Sequence, residues 1–367
     1  MPGWHARTKD LVAEGQLQVY GIAPEQYGDR MALFLQWKEL NFPVLMDPLN
    51  VLGVKAVPIT LLVDQHGVIR YRNPKAKDLK AFLETDYPEE KRKSSPPLSP
   101  QVQKALQALQ SEDIEKVDSA LRHLPLRSSS KESATTAFQA GVLSRWIYDH
   151  GGSPQSFQTA VEYWQKALTQ TPSQYIWRRR IQQYGPRLDK PYPFYDWVRT
   201  ARQAIKSRGE VPITLQVEPS GSEVALPQRK NEPLKQSHQH PDPQNKLPST
   251  DQLLNVVTTL IPHTDDPDKG RLHLRLTPTQ KAHWTSDAQE VQLWLQPKDG
   301  KPIFLSDTVT FLEPNQESSS QYRTLEADLT PSQLQGGAKL VLFYSLCEEE
   351  NAICRFLKTE LEPELKH

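Results

Sequence analysis

The thiol chemistry open to this 367-residue chain rests on two cysteines, Cys347 and Cys354, which bracket an acidic loop from Glu348 to Ile353. If that loop closes a hairpin, the two Cα atoms can approach to the roughly 4.4–6.8 Å that a disulfide spans. Three states are open to the pair: a structural cross-link fastening the last hairpin, a disulfide that exchanges through a mixed-disulfide intermediate, or two free thiols. Glu348, Glu349 and Glu350 lie beside Cys347. Negative charge there raises a thiol pKa and argues against a reactive thiolate. With two cysteines, the chain is not a disulfide scaffold.

Other residues with chemical potential are weaker candidates. His238 and His240 form an H-Q-H phrase in a polar, proline-rich stretch, but two histidines without a fixed ligand set do not define a metal site, so no metal and no cofactor are expected. Asp47 and Asp64 could pair for acid–base work, yet each stands where a turn or strand end favours aspartate. His5 and His66 read as surface residues, and Ser128 to Ser130 lack the G-x-S-x-G turn of a nucleophile elbow. Arg178, Arg179 and Arg180 sit among Tyr175, Trp177, Tyr184, Tyr192, Phe194, Tyr195 and Trp197. Such a patch either stacks on phosphate-bearing ligands or fills a seam between domains. The 44 basic and 44 acidic residues cancel, so no wider basic face supports a nucleic-acid partner, and the seam is preferred. No catalytic residue is assigned.

The elements that must position these groups are organised around Asn41 to Tyr71, NFPVLMDPLNVLGVKAVPITLLVDQHGVIRY. Thr60 to Asp64 reads as a strand, left through a Gln65-His66-Gly67 turn into a second strand, Val68 to Tyr71. The run Ile59-Thr60-Leu61-Leu62-Val63 does not alternate, which predicts a strand covered on both faces. Val57-Pro58 directly precedes it, and a proline at a strand entrance suggests a cis peptide bond. Gly3 to Gly15, Gly28 to Leu40 and Lys77 to Glu84 read as helices, the second with Met31, Phe34, Leu35 and Trp37 inward.

The ordered phrases Val19-Tyr20-Gly21-Ile22, FPVL-x-DP followed by a short helix, and GV-x-x-VP-x-T-x-L-x-D-x-x-G-x-I resemble the second half of a TlpA/ResA-type thioredoxin-fold (redoxin) domain. The resemblance spans roughly residues 1–85. It implies an incomplete thioredoxin-like α/β domain, because Met1-Pro2 matches the dipeptide that follows the family's redox motif. The chain is therefore expected to start just after the dithiol. It further implies a thiol–disulfide oxidoreductase family protein that is inactive as it stands, or else a non-catalytic binding or scaffold protein on a redox fold. Val57 and Pro58 match the family's substrate-docking positions, so the implied partner is a polypeptide or a thiol/disulfide protein. No cysteine and no peroxidatic pattern occurs in residues 1–90, so neither dithiol exchange nor peroxide reduction can run there. An extracytoplasmic location is implied by the family alone, since no signal peptide is apparent.

The rest of the chain divides by period and composition. Residues 1–87 form the thioredoxin-like part and 88–99 a linker. Residues 100–208 are helical, with Ala134 to Tyr148 and Phe157 to Leu168 resembling one tetratricopeptide unit. Residues 209–248 are expected to hold a strand, Val211 to Val217, and a disordered proline-rich linker. Residues 249–367 alternate with period two and predict a β-sandwich. The terminal phrase LVLFYSLCEEENAICRFLKTELEPEL resembles the end of the β domain of membrane disulfide reductases and of NHL-repeat thioredoxin-like proteins, which makes Cys347 and Cys354 the candidate disulfide or redox pair. No apolar run approaches the roughly 20 residues of a membrane-spanning helix.

Overall fold

The computed structural model describes residues 2–89, 97–125, 131–184, 194–219, 223–224, 253–262, 268–284, 291–307, 322–334, 337–348 and 354–362. Helix α1 (Pro2–Ala13) leads into strand β1 (Gly21–Ala23), α2 (Gly28–Lys38), β2 (Val44–Met46), the hairpin β3 (Leu61–Val63) and β4 (Ile69–Arg72), and α3 (Ala76–Glu84). β1 runs parallel to β2, with Ile22 opposite Leu45, a pairing that needs a crossover such as α2. The hairpin turns at Gly67, whose φ of +77° suits a residue without a Cβ. Asp64 fixes that turn by accepting the N–H groups of His66 and Val68, each at 2.9 Å. Where a short helix was expected after Asp47 there are turns instead, because the Asp47 carboxylate accepts the N–H groups of Val51 at 2.7 Å and Leu52 at 3.2 Å. The Val57–Pro58 bond is cis, in keeping with the sequence reading.

One expectation for β3 is corrected. Leu62 is buried with Leu79 and Phe82 against Trp4 and Leu11, but Leu61 and Val63 are exposed. α1 and α3 cover one face of the hairpin, while Leu61 and Val63 on the other are 39% and 46% exposed, so the apolar run is half-buried rather than sandwiched.

Six helices follow: α4 (Pro100–Gln110), α5 (Ile114–Arg122), α6 (Lys131–Asp149), α7 (Ser156–Gln170), α8 (Tyr175–Tyr184) and α9 (Trp197–Ser207). Two have legible starts. Ser99 accepts from the Val102 N–H with Pro100 at the first position, and Asp113 accepts from Glu115 and Lys116. α6 and α7 pack closely because Gly141 leaves room for Trp164; a Cβ at Gly141 would stand 2.4 Å from the indole. Phe138, Leu143, Phe157, Trp164 and Trp177 fill the core, joined by Leu49 from the turns after β2 and by Ile261.

α9 packs on α2, with Leu33 among Val198, Ala201 and Ile205, and Trp37 stacked on Trp197 at 5.8 Å. The deepest residues of α2 are thus Leu33 and Arg30, whereas Met31, Phe34, Leu35 and Trp37 are half-buried. The strand expected at Val211 to Val217 is absent. That segment lies along α2, whose side chains take the backbone groups a sheet would have used: Gln36 accepts from the Ile213 N–H at 3.0 Å and donates to the Val211 carbonyl at 2.9 Å, and Asp29 accepts from the Gln216 N–H at 2.6 Å.

The C-terminal part contains β5 (Leu254–Pro262), β6 (Gly270–Pro278), β7 (Ala282–His283), β8 (Gln292–Gln296), β9 (Ile303–Asp307), β10 (Arg323–Leu329), the short α10 (Pro331–Leu334), β11 (Lys339–Glu348) and β12 (Cys354–Leu361). They form one antiparallel sheet in the order β10-β6-β5 and another in the order β12-β11-β8-β9, with β7 also paired to β11. Leu272, Leu274 and Leu325 of the first meet Leu293, Leu340 and Leu342 of the second in one core. The protein is therefore a mixed α/β chain with several small sheets. The linker 90–96 and most of the proline-rich stretch, with His238 and His240, lie outside the described residues. Among the described residues, no helix is long and apolar enough to cross a membrane.

Candidate functional site

Val57 and Pro58 lie on the approach to β3. Val57 is 48% exposed, and the exposed apolar positions continue through Ile59, Leu61 and Val63. The far end of the strand is closed by Asp64, which also accepts from the Arg70 Nε at 2.7 Å. Burial raises the Asp64 pKa, but the bonds from Val68, Arg70 and His66 outweigh it, so the carboxyl is held below its usual range. Asp47 and Asp64 each bond their own turn. This is the structural role of such aspartates rather than acid–base work.

The C-terminal cysteine position is closed to solvent. Cys347 is disulfide-bonded, Cys354 is the other cysteine of the chain, and the β11–β12 ladder sets the two directly opposite. Cys347 is 3% exposed and is also opposite His283 on β7. A sulfur walled in by strands on both sides is poorly reached by an attacking thiolate.

A third set of residues was not anticipated. Arg271, His273 and Arg275 alternate along β6 with Leu272, Leu274 and Leu276, and all six are buried. The polar face of β6 is turned to α6 and α7 instead of to water. His273 Nδ1 lies 2.9 Å from Glu326 Oε1, and its Nε2 lies 2.8 Å from the Tyr148 hydroxyl. A carboxylate on Nδ1 makes that nitrogen the donor, leaving Nε2 to accept from Tyr148. The ring lies flat on Phe157, centroids 3.9 Å apart. Arg271 binds Glu326 at 2.9 Å and Asp328 at 2.7 Å. Arg275 donates to the carbonyls of Tyr148 and Gly152, with its guanidinium 4.7 Å from the Tyr148 ring and 4.1 Å from the Tyr322 ring.

The network continues into the helices. Arg145 binds Asp149 at 2.7 Å, and Tyr27 donates to the same carboxyl. Glu223 joins Arg30 at 2.7 Å to Arg145 at 3.9 Å. Arg30 lies over the rings of Tyr27 and Tyr195. Part of the arginine–aromatic stretch belongs here too: Arg180 is buried and donates to the Pro24 carbonyl, Tyr195 donates to Glu25 at 2.6 Å, and Trp177 stacks on Phe138. These three side chains are buried in a seam, whereas Tyr175 of the same stretch is exposed.

Hydroxyl, imidazole and carboxylate in line are the parts of a nucleophile–base–orienter set. Their electrostatics here point elsewhere. Burial pushes the Tyr148 hydroxyl pKa well up, against Arg145 and Arg275, and pushes His273 down despite Glu326. Glu326, although desolvated, is held at about 2 by His273 and Arg271. Burial and the neighbouring Glu223 push Asp149 up. The space these side chains enclose is about 10 Å³, at the lower limit for one water. The set bridges the helices and the sheet as a polar lock. Period-two alternation marks RLHLRL as a strand with one polar face, and it carries no sign that this face is buried.

Among the described residues, no group of three or more His, Cys, Asp or Glu is arranged to hold a metal ion. No family model matches the chain, and no curated protein does. Solved structures similar over about a third of it include the following three. Structural-genomics target SoR45 shares 16% identity over 31% of this chain and 88% of its own, with a TM-score of 0.20. The yeast GGA1 GAE domain shares 15% over 31% and 96%, at 0.17. A FixG-related protein from Vibrio parahaemolyticus shares 11% over 30% and 97%, at 0.13. Scores this low carry no assignment of fold or function.

Proposed function

We propose that this chain is a non-catalytic, polypeptide-binding relative of the TlpA/ResA-type redoxins, in which a thioredoxin-like part presents an apolar strand. A helical connector similar to one tetratricopeptide unit and a C-terminal β-sandwich are the remaining parts of this reading. The observation that carries it is the exposed row Val57, Ile59, Leu61 and Val63 beside a hairpin covered on one face. Exposed apolar side chains at a strand edge suit an extended peptide. The order β1, α2, β2, β3, β4, α3 also matches the order the resemblance implies. With no cysteine before position 347, this edge has no nucleophile of its own.

The test is paired. A permanently unfolded polypeptide, reduced and alkylated, should bind the full chain in a fluorescence-anisotropy titration, and insulin reduction should stay at the uncatalysed rate. Absence of binding would refute the reading. So would insulin reduction that survives Cys347→Ser combined with Cys354→Ser, because that double variant has no thiol left.

A further inference from the structure

The segment Val211 to Glu218 lies outside any helix or strand, and α2 and α9 hold it as a receptor holds an extended peptide. Its backbone groups are met by side chains of α2. Gln36 serves Val211 and Ile213, Asp29 serves Gln216, and Arg30 donates through Nε and Nη2 to the Val217 carbonyl at 3.3 and 3.1 Å. Its side chains alternate: Leu215 and Val217 are buried, while Thr214 and Gln216 are exposed. Leu215 packs with Leu33, Val198 and Ile205. An extended backbone read by polar groups, with every second side chain inserted, is the pattern of peptide recognition.

Charge fixes the far end of the segment. Arg202 of α9 grips Glu218 through two bonds, at 2.5 and 3.2 Å, and such bidentate pairs add geometric specificity. Glu223 meets Arg30 at 2.7 Å and Arg145 at 3.9 Å. The Arg30 guanidinium lies over the rings of Tyr27 and Tyr195, so residues outside the segment hold that cation in place. The segment leaves α9 through a turn at Gly209, where φ is +78°, and the chain then runs through 225–252 before β5 begins at Leu254. It can therefore leave the groove without carrying a helix or a strand with it.

We propose that α2 and α9 form a recognition groove for an extended segment whose alternate residues are apolar and whose last apolar residue is followed by a carboxylate. Residues 211–224 are its tethered ligand, exchangeable with the same segment of a second copy of this chain. The groove shares no residue with the row from Val57 to Val63, so its failure would leave the polypeptide-binding reading above untouched.

The experiment uses a fluorescein-labelled synthetic peptide of residues 210–224, titrated against the full chain and against a triple variant, Leu215→Ser, Val217→Ser and Glu218→Ser, that loosens the tethered copy. The variant should bind the peptide at least about tenfold more tightly than the unmodified chain, because the tethered competitor is weakened. Adding Arg202→Glu should weaken that binding about tenfold or more, and a Glu218→Arg peptide should recover it. In the unmodified chain, the Ile213 and Gln216 amides should exchange with deuterium about a hundredfold faster than those of Leu143 and Trp146 in α6. Segment amides as slow as those of α6, or a triple variant that fails to fold, would make the segment part of the core and overturn the inference. Equal binding of a scrambled peptide would overturn it too, as would no binding to a folded triple variant or no recovery by the charge-swapped peptide.

Discussion

Tyr148 on α6 and His273 on β6 are hydrogen-bonded at 2.8 Å across 125 positions of sequence, and that bond joins the helical core to the three-stranded sheet. Tyr148→Phe should leave His273 Nε2 buried without its partner and cost about 1–3 kcal/mol. Urea denaturation followed by far-ultraviolet circular dichroism and by tryptophan fluorescence should show the loss by both probes. A loss confined to one probe would mean that the two parts unfold separately.

Acid should weaken the same seam. Glu326 is held at about 2 in the folded chain, below an ordinary glutamate near 4.3, so its contribution is fully present above the unfolded value and is lost as pH falls toward 2. His273, depressed by burial, works in the same direction from about pH 6.5 downward, because the unfolded imidazole binds the proton first. Asp149, raised by burial and Glu223, acts oppositely, contributing most at low pH. His273 and Asp149 oppose each other above about pH 4.5, so the expected drop in midpoint is the Glu326 part, below about pH 4.5. Glu326→Gln should lower stability at pH 7 by about 3 kcal/mol and flatten the steep part. An unchanged slope would remove Glu326 from the account.

The contact between α6 and α7 depends on the missing side chain at Gly141. In Gly141→Ala the new Cβ would lie 2.4 Å from Trp164, forcing the helices apart at a cost of about 1–3 kcal/mol. The gain in helix propensity, about 1 kcal/mol, offsets only part of this. Thermal unfolding should show a net lower midpoint, and Trp164→Leu should relieve it in the double variant.

The disulfide at Cys347 is expected to serve stability alone. Closing the short loop between β11 and β12 constrains the unfolded chain by about 2–3 kcal/mol in the loop-entropy account. Cys347→Ser, or dithiothreitol at denaturing temperature, should lower the midpoint accordingly and leave peptide binding at β3 unchanged. Loss of peptide binding in that variant would tie the two ends of the chain together in a way these contacts do not.

Much of the local structure is legible from residue order, because its causes are local. Ser99-Pro100 and Asp113 start helices with their own side chains, Gly67 permits the hairpin turn, and alternation along Arg271 to Leu276 defines a strand whatever lies beyond it. Val57 and Pro58 could likewise be placed before a strand. What sits against each face could not. The non-alternating run Ile59 to Val63 reads as buried on both sides, yet two helices cover one side and leave Leu61 and Val63 open. RLHLRL reads equally well as a strand with a wet face, and only the packing of His273 and Arg275 on α6 and α7 and the pairing of Arg271 with Glu326 and Asp328 make those side chains interior. The segment from Val211 to Val217 has the composition of a strand, but Gln36 and Asp29 of α2, far away in sequence, take its backbone groups. Periodicity encodes how a segment divides its polar and apolar sides, while burial depends on which distant segment arrives to cover them. The exposure of Leu61 and Val63 and the closed polar seam are therefore properties of the tertiary structure.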